Sequence, residues 1–299
     1  MKIGHISDIH WLDLTGARPW DFFNKRLSGG FNLLVGRARK HTQEATRAAL
    51  ETLKAQRCEH IIVAGDLTNL ALPAEFRAVW QMLGEYYRPM EMTIVPGNHD
   101  FYTRESLANR RFERMIYALR PGNIDVGVDA NWPFVNLVRD VAIVGLNSAY
   151  PRPWFVAGGK IGDRQLDDLD RVLALPDVAV RTPIVVLHHH LYRVSSSLGE
   201  SLRNLEDRQK LLEICQKHGV ALIAHGHNHD YELRRAHGII LAEAGSFSVS
   251  TFKKDNRAGK LNIYTFEGRT LKVIETWRFE HGEYVLWKST TPAEIPEIS

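Results

Sequence analysis

Short runs of Val, Ile and Leu alternate along the chain with longer stretches in which apolar residues recur every three or four positions. The runs predict strands covered on both faces, because such strands are apolar throughout. They lie at 2–7, 60–64, 92–95, 141–146, 183–187, 220–224 and 239–242, followed by a hairpin-like pair at 261–266 and 271–280. The longer stretches predict amphipathic helices from about 42, from 73, and at about 103–118, 163–175 and 206–218.

The order of these elements predicts an α/β fold built from layers. Strands and helices alternate through most of the chain, and its last part is rich in strands. Alternation of this kind places helices against the faces of a sheet. We therefore expect a single domain over residues 1–299, in which the strands of 239–290 complete the layered arrangement.

Polar side chains of a few types follow five of the predicted strands, where each strand ends. They are Asp8 and His10 in SDIH, Asp66 in GDLTN, Asn98, His99 and Asp100 in PGNHD, His188, His189 and His190 in LHHHLY, and His227 and His229 in HGHNH. Loops beyond the carboxyl ends of strands gather at one edge of an α/β sheet. Glycines at 65, 97 and 226 permit tight turns just before these groups. We therefore expect the five clusters to meet at that edge.

A shared metal site explains these clusters better than five separate structural roles. Taken singly, each histidine suits an ordinary hydrogen bond and each Gly-Asp pair suits a turn. Burying so many carboxylates and imidazoles together would cost several kcal/mol per group unless a multivalent cation neutralised them. Oxygen and imidazole donors without thiolates favour Mn²⁺, Fe, Co²⁺, Ni²⁺ or Zn²⁺.

The series resembles the calcineurin-like metallophosphoesterase superfamily in order and spacing, from residue 1 to about 250. The resemblance rests on Asp8-x-His10, Gly65-Asp66, Gly97-Asn98-His99-Asp100, a histidine after the fourth of these strands, and Gly226-His227-x-His229. It implies a four-layer αββα sandwich with a dinuclear metal centre at the sheet edge. The implied ligands are Asp8, His10 and His229 for one divalent ion, Asn98, one strand-end histidine and His227 for the second, and Asp66 as the bridge.

Three consecutive histidines leave the ligand after the fourth strand open. Successive side chains of an extended chain point to opposite faces, so the neighbours of the ligand must point away from it. The family pattern is an apolar strand, His-His and then Pro, whereas Leu191-Tyr192 follows the histidines here. Aligning His189-His190-Leu191 with His-His-Pro implies His189 as the ligand, and His188 and then His190 are the alternatives. The remaining histidines would contact substrate or backbone, or orient the ligands.

The resemblance implies a phosphoric ester hydrolase, and we expect above all a phosphodiesterase or pyrophosphatase. A bridging carboxylate would hold two ions roughly 3.5 to 4 Å apart, and a water between them would lose a proton near neutral pH and attack phosphorus. We expect His99 to donate a hydrogen bond or proton to the phosphoryl or leaving-group oxygen. Asp100 would hold the other nitrogen of His99 in the required tautomer. In the alternative interpretation, His99 is merely the neighbour of a ligand.

Charge is concentrated near the start of the chain. The net charge is +3, yet residues 18–47 hold seven of the 38 Lys and Arg and two of the 35 Asp and Glu, which leaves 31 basic and 33 acidic residues elsewhere. An insertion at 16–40, which overlaps this region, interleaves basic residues with Trp, Phe, Leu and Val. It predicts a lid over the active site or, alternatively, contact with a membrane or acyl chain. We expect a small phosphate ester or a lipid-linked phosphate as the partner, and nucleic acid is disfavoured because the remaining surface is not basic.

The remaining composition predicts a cytoplasmic protein, with peripheral contact at the inner membrane face as an option. The chain has no apolar tract of ~18 residues and no secretory signal after Met1. Cys58 and Cys215 lie far apart, as expected of buried, reduced thiols rather than a disulfide framework.

The metal core is shared by enzymes with different substrates, so several functions stay open. The insertion and the C-terminal strands with Trp277 and Trp287 are similar to those of one branch of the superfamily. This branch includes enzymes that hydrolyse the pyrophosphate bond of UDP-diacylglucosamine, although many of these have Arg where His99 stands. Cyclic-nucleotide or glycerophosphodiester hydrolysis, nuclease activity and a non-catalytic metal-binding scaffold are further alternatives. A histidine beside the centre that is not needed as a ligand argues against the scaffold.

Overall fold

The computed structural model describes residues 1–18, 43–116, 122–128, 131–151, 157–192, 204–248 and 259–298. Within these ranges the chain forms two six-stranded sheets. The first has the spatial order β12-β11-β10-β1-β2-β3 and contains β1 (Lys2–Ile6), β2 (His60–Ala64), β3 (Met92–Val95), β10 (Lys260–Glu267), β11 (Thr270–Glu280) and β12 (Glu283–Thr290). The second has the order β4-β5-β6-β7-β9-β8 and contains β4 (Phe134–Val138), β5 (Val141–Gly145), β6 (Thr182–Val186), β7 (Leu222–His225), β8 (Tyr231–Ala236) and β9 (Ile239–Ala244).

Each sheet has a parallel part that fixes the direction of its loops. In the first sheet β1, β2 and β3 are parallel neighbours, and β10, β11 and β12 extend the sheet antiparallel from β1. In the second sheet β5, β6, β7 and β9 are parallel, and the antiparallel strands β4 and β8 form its edges. The carboxyl ends of the parallel strands in each sheet therefore open onto one edge, where a site is expected.

The second sheet packs against the first sheet with one face and against helices with the other. Along β6, Ile184 and Val186 lie in a core that also contains Ile62 of β2. Val185 of β6 and Leu187 just beyond it lie in the other core, with residues of the helices. Successive side chains of a strand point to opposite faces, so this alternation identifies the two faces directly.

Helices cover the outer faces of both sheets. They are α1 (Gln43–Ala55), α2 (Pro73–Tyr86), α3 (Arg104–Ala108), α4 (Arg111–Ile116), α5 (Asp163–Leu173), α6 (Pro176–Ala179) and α7 (Arg208–Lys217). Leu53 of α1 packs so closely on β1 that a Cβ added to Gly4 would lie 2.6 Å from it. Leu169 of α5 and Leu211 of α7 are buried in the outer core of the second sheet. The layers are therefore helix, sheet, sheet and helix, which confirms the four-layer α/β sandwich.

The predicted elements agree with the structure except where the hydrophobic pattern is weak. Strands at 60–64 and 92–95 have the predicted bounds, and β10 and β11 form the predicted hairpin. The pattern did not predict β4, β8 or β12; β8 and β12 are edge strands that carry many partly exposed residues. The helix predicted at 103–118 is instead two short helices, interrupted at Arg110, whose φ is 47°.

The remaining predictions concern the insertion at 16–40, the two cysteines and the lack of a membrane-spanning helix. Almost all of the insertion at 16–40 lies outside them, so its interpretation as a lid or membrane contact stays a prediction. Cys58 and Cys215 are buried and free, and burial raises the pKa of the Cys58 thiol to about 12, as expected of an unreactive thiol. None of the described helices combines the length and apolarity needed to cross a membrane.

Candidate metal centre

Five loops bring the predicted ligands to one place, where the edges of the two sheets meet. Asp8, Asp66 and Asn98 follow β1, β2 and β3 of the first sheet. His188 and His227 follow β6 and β7 of the second sheet. Hydrogen bonds join the two sets. The backbone N–H of His227 donates to Oδ2 of Asp8 over 3.1 Å, and Nε2 of His188 lies 3.2 Å from Oδ1 of Asn98.

Asp8, His10 and His229 converge on one point. The Nε2 atoms of His10 and His229 are 2.9 Å apart, and Nε2 of His229 is 3.3 Å from Oδ1 of Asp8. This carboxylate oxygen is buried and makes no hydrogen bond within the described part of the chain. A buried carboxylate oxygen facing two imidazole nitrogens is an arrangement that a cation would satisfy.

Asn98, His188 and His227 form a second group, and Asp66 lies between the two. Nε2 of His188 is 3.2 Å from Oδ1 of Asn98 and 3.2 Å from Nδ1 of His227. Oδ2 of Asp66 is 3.4 Å from Nε2 of His188 and 3.7 Å from Nε2 of His10. A single carboxylate oxygen thus reaches both groups, as a bridging ligand must.

The donor set fits divalent metal ions. Among the described residues, three combinations have ligand atoms that all lie within 4.8 Å of one another: Asp8, His10 and His229; His10, Asp66 and His99; and Asp8, Asp66 and His188. The donors are carboxylate oxygen, amide oxygen and imidazole nitrogen, which suit first-row divalent ions. Two adjacent groups that share a carboxylate match the arrangement of a two-metal site.

The electrostatics of His188 show how strongly the site attracts positive charge. Burial lowers the pKa of His188, but the charges of Asp66 and Asp8 outweigh burial and raise that pKa to about 10. The charge of His188 in turn lowers the pKa of Asp66, although burial opposes this. Imidazole binds a metal ion through a deprotonated nitrogen, so metal affinity should weaken as pH falls.

Several of the predicted ligands have a strained backbone. Asp8, His10, Asp66, His227 and His229 all have positive φ angles, between 48° and 87°. Residues other than glycine adopt this region at a cost of about 1 to 3 kcal/mol each, and such strain clusters at functional sites. The strain turns the side chains of i, i+2 pairs such as Asp8 and His10 inward immediately after their strands end.

Two glycines allow the ligand loops to approach one another. A Cβ on Gly97 would overlap the backbone nitrogen and Oδ1 of Asp66, and a Cβ on Gly226 would overlap Oγ of Ser7 and crowd Oδ2 of Asp8. Neither neighbour is the flexible end of a long side chain that could move aside. The absence of a Cβ at these glycines therefore lets the ligand loops pack closely, in addition to permitting the turns predicted from the sequence.

The structure corrects the prediction of His189 as the ligand. Nδ1 of His188 donates to the carbonyl of Ala64 over 2.8 Å, which directs Nε2 toward Asp66 and Asn98. The ring nitrogens of His189 are directed to other groups: its Nδ1 accepts from Oγ of Ser148 at 2.8 Å and its Nε2 donates to the carbonyl of Ala157 at 3.1 Å. The rings of His188 and His189 lie only 5.1 Å apart, in a bend just after β6, and it is Nε2 of His188 that reaches the other predicted ligands.

His190 is held by a residue outside the predicted ligand set. Its Nε2 donates to Oδ1 of Asn204 over 2.7 Å. Its ring stacks on the ring of His227 at a centroid distance of 5.5 Å. His190 therefore contacts a predicted ligand while its own ring nitrogen is directed to Asn204.

The structure also corrects the predicted partner of His99. Nδ1 of His99 donates to the backbone carbonyl of Asn69 over 2.8 Å. The carboxylate of Asp100 instead accepts from the backbone of Gly97, Leu67 and Thr68 and from the hydroxyl of Thr68, at 2.9 to 3.2 Å. Asp100 thus joins the loop of Asp66 to the loop of Asn98, and the carbonyl of Asn69 fixes the tautomer of His99.

Sequence reasoning missed a group of hydroxyls around Asp8. Oγ of Ser7 donates to Oδ2 of Asp8 over 2.6 Å, and the hydroxyls of Ser246 and Ser248 donate to its backbone carbonyl over 2.8 and 3.2 Å. These bonds fix both the carboxylate and the backbone of a predicted ligand. No spacing in the sequence relates Ser246 to Asp8, because the contact depends on how distant strands pack.

Comparisons with known proteins agree with this geometry. A dimetal phosphatase from Danio rerio superposes with a TM-score of 0.63 at 14% identity, over 97% of this chain and 98% of that chain. Purple acid phosphatase PPD1 from yellow lupin seeds gives 0.62 at 14% identity, over 99% of this chain and 53% of that chain. GAP50, the anchor in the inner membrane complex of Plasmodium, superposes with a TM-score of 0.52 at 15% identity, over 97% of this chain and 88% of that chain.

At these identities the structural likeness shows the fold alone, since one fold supports many functions. A sequence search of curated proteins gave no match. A family model described as calcineurin-like phosphoesterase matches residues 1–231, well over half of the sequence. The chain therefore belongs to the calcineurin-like phosphoesterase family.

Proposed function

We propose that the chain is a metal-dependent phosphodiesterase or pyrophosphatase that uses two divalent ions. The observation that carries the proposal is the convergence of two ligand groups on Asp66. Asp8, His10 and His229 would hold one ion, and Asn98, His188 and His227 the other. His188 replaces the predicted His189 in this set because only the Nε2 of His188 faces Asp66 and Asn98.

The side chains of this chain would position the substrate between the ions and a proton donor. Two bound divalent cations would neutralise phosphate oxygens and lower the pKa of a water molecule. His99 is almost buried, and its ring lies 4.7 Å from the ring of His10 and 5.2 Å from that of Tyr102. The carbonyl of Asn69 accepts only, so Nδ1 of His99 carries the proton in the neutral ring.

This tautomer defines the proposed role of His99. Protonation at Nε2 would give an imidazolium that could donate to a developing charge on the leaving-group oxygen. The bond from Nδ1 to Asn69 would remain in both protonation states and hold the ring in place. The side chain would thus move a proton without changing its orientation.

A metal-supplemented hydrolysis assay tests the proposal. Protein stripped with a chelator should release little nitrophenol from bis(p-nitrophenyl) phosphate, and added Mn²⁺ should restore release. Asp66→Asn should lower the restored rate by more than 100-fold, since loss of even an outer partner of a ligand costs about 10- to 100-fold. Asp177→Asn, on an exposed helical residue, is the matched control and should retain the rate.

The same assay separates an enzyme from a scaffold. Metal binding without release of nitrophenol from either the diester or p-nitrophenyl phosphate would contradict the proposal and favour a non-catalytic protein. The preference for diester, monoester or a lipid-linked pyrophosphate would follow from the relative rates on such substrates. The cytoplasmic location and the membrane contact of the insertion at 16–40 stay predictions.

A further inference from the structure

A buried carboxylate outside the ligand set connects the two histidine-bearing loops of the second sheet. Glu243 lies on β9 and is fully buried. Its Oε2 accepts from the hydroxyl of Tyr192 over 2.7 Å, and its Oε1 accepts from the backbone N–H of Asn228 over 3.0 Å. Both carboxylate oxygens thus bind donors from two loops that are far apart in the sequence.

Each of these donors is close to proposed ligands. Asn228 lies between His227 and His229, so the bond to its N–H fixes the backbone that carries one ligand for each ion. Tyr192 lies four residues after His188, at the end of the described part of that loop. Glu243 therefore acts on the relative position of these two loops.

The ring of Tyr192 is itself held on several sides. The guanidinium of Arg234 lies over the ring at 4.7 Å from its centroid. The ring of His225, just before the second loop, is 5.7 Å away at a steep angle. These contacts leave the hydroxyl little freedom to move away from Glu243, so the bond links two rigid parts of the structure.

The burial of Glu243 argues for a role beyond packing. Taking a carboxyl group out of water costs free energy even when the group is neutral, and a hydrophobic residue of similar size would fill the same space without that cost. Residues that orient metal ligands typically form such bonds from behind the ligands, and their loss weakens metal binding.

We propose that Glu243 is a positioning residue that sets the affinity of the metal centre by holding the loop after β6 in register with the loop after β7. The inference rests on the proposed metal ligands. It does not require Glu243 to touch substrate or metal. It requires that the two bonds, to Tyr192 and to Asn228, order the ligands before a metal ion binds.

Titration of metal-stripped protein with Mn²⁺ tests this role through affinity rather than turnover. Glu243→Ala removes both bonds and should weaken Mn²⁺ binding by about 10- to 100-fold. Tyr192→Phe removes one bond and should weaken it by a smaller factor. Glu243→Gln should restore affinity close to that of the unaltered protein, because its carbonyl can accept from Asn228 while its amide donates to the Tyr192 oxygen.

A matched control separates positioning from general destabilisation. Thr93→Val removes a buried hydroxyl that bonds to His60 and Asn136 at 2.8 and 2.9 Å. Thr93 lies near the amino end of β3, away from the ligand loops, so this variant should unfold more easily and keep its Mn²⁺ affinity. Comparable losses of affinity in Thr93→Val and Tyr192→Phe would show that stability, not positioning, is responsible.

The possible results have distinct meanings. If the unaltered protein bound two ions and both Glu243→Ala and Tyr192→Phe bound them equally tightly, the role of Glu243 would be wrong and the metal centre would stand. If the unaltered protein bound no metal ion, the proposed function itself would fail. If Glu243→Ala did not fold, Tyr192→Phe and Glu243→Gln would decide, and unchanged affinity in Tyr192→Phe would contradict the inference.

Discussion

Replacing the adjacent histidines one at a time gives a sharp test of which one faces the metal centre. His188 and His189 are both fully buried, and each would be truncated to Ala. They have the same chemistry and neighbouring positions, but their ring nitrogens contact different groups. His188→Ala should therefore damage metal binding, and His189→Ala should damage mainly stability.

The expected magnitudes follow from the contacts of each ring. Loss of the His188 Nε2 removes a proposed ligand and should weaken binding of one ion by more than 100-fold, which is at least about 2.7 kcal/mol. Loss of the His189 ring leaves Ser148 and the carbonyl of Ala157 without their buried bonds. At about 1 to 2 kcal/mol per bond this is about 2 to 4 kcal/mol of unfolding free energy.

Two assays on each variant distinguish these effects. Metal content and Mn²⁺ affinity report on the site, and thermal unfolding with and without a chelator reports on stability. His189→Ala should melt several degrees lower, at about 2 °C per kcal/mol for a chain of this size, and still bind two ions. Loss of one ion by His189→Ala, with two ions retained by His188→Ala, would refute the assignment.

Three further predictions concern other parts of the structure. His99→Ala should keep both ions but lose about 100-fold or more in turnover, and full turnover would remove its role as proton donor. Gly226→Ala should displace Asp8 and abolish tight metal binding. Its control is Gly84→Ala, because Gly84 lies in a helix with open space around it. This variant should bind metal normally, and its free energy of unfolding should rise by up to about 1 kcal/mol. Burial lowers the pKa of His60 from 6.5 to about 3, so the folded protein binds fewer protons than the unfolded chain. The free energy of unfolding should therefore be constant with respect to His60 above pH 6.5 and fall by up to about 1.4 kcal/mol per pH unit toward pH 3. Chemical denaturation at several pH values should show a shallower fall for His60→Gln than for the unaltered protein. The same dependence on pH in both proteins would contradict this reasoning.

The register of the triple histidine shows why the sequence predicted the site but not each ligand. Alternation applies to an extended chain, but His188 and His189 lie in a bend just after β6, and their rings are 5.1 Å apart. In addition, β6 is apolar on both faces, because one face packs on the first sheet and the other on helices. The pattern of Val and Ile therefore could not reveal that Ile184 and Val186 face the first sheet, and that His188 continues along the same side.

The partner of His99 was missed for a different reason. Asp100 is adjacent to His99 in the sequence, yet the turn directs its carboxylate back toward the loop after β2. The bond from His99 to the carbonyl of Asn69 joins loops about thirty residues apart. Backbone carbonyls carry no sequence signature, so only the folded structure could identify this partner.

The strands and the five ligand loops were readable because each carries a local signal. Continuous apolar runs mark the central strands, and compact groups of Asp, Asn and His mark where those strands end. The edge strands β8 and β12 lack such runs because their residues are partly exposed. Bonds that depend on long-range packing, such as those of Glu243, likewise left no local pattern.

Anomalous diffraction from crystals grown with excess Mn²⁺ tests the central claim most directly. We expect two manganese peaks separated by roughly 3.5 to 4 Å, with Asp66 in contact with both. Nε2 of His188 should contact one of them, and His10 the other. A single peak, or a pair of peaks that Asp66 does not join, would contradict the account.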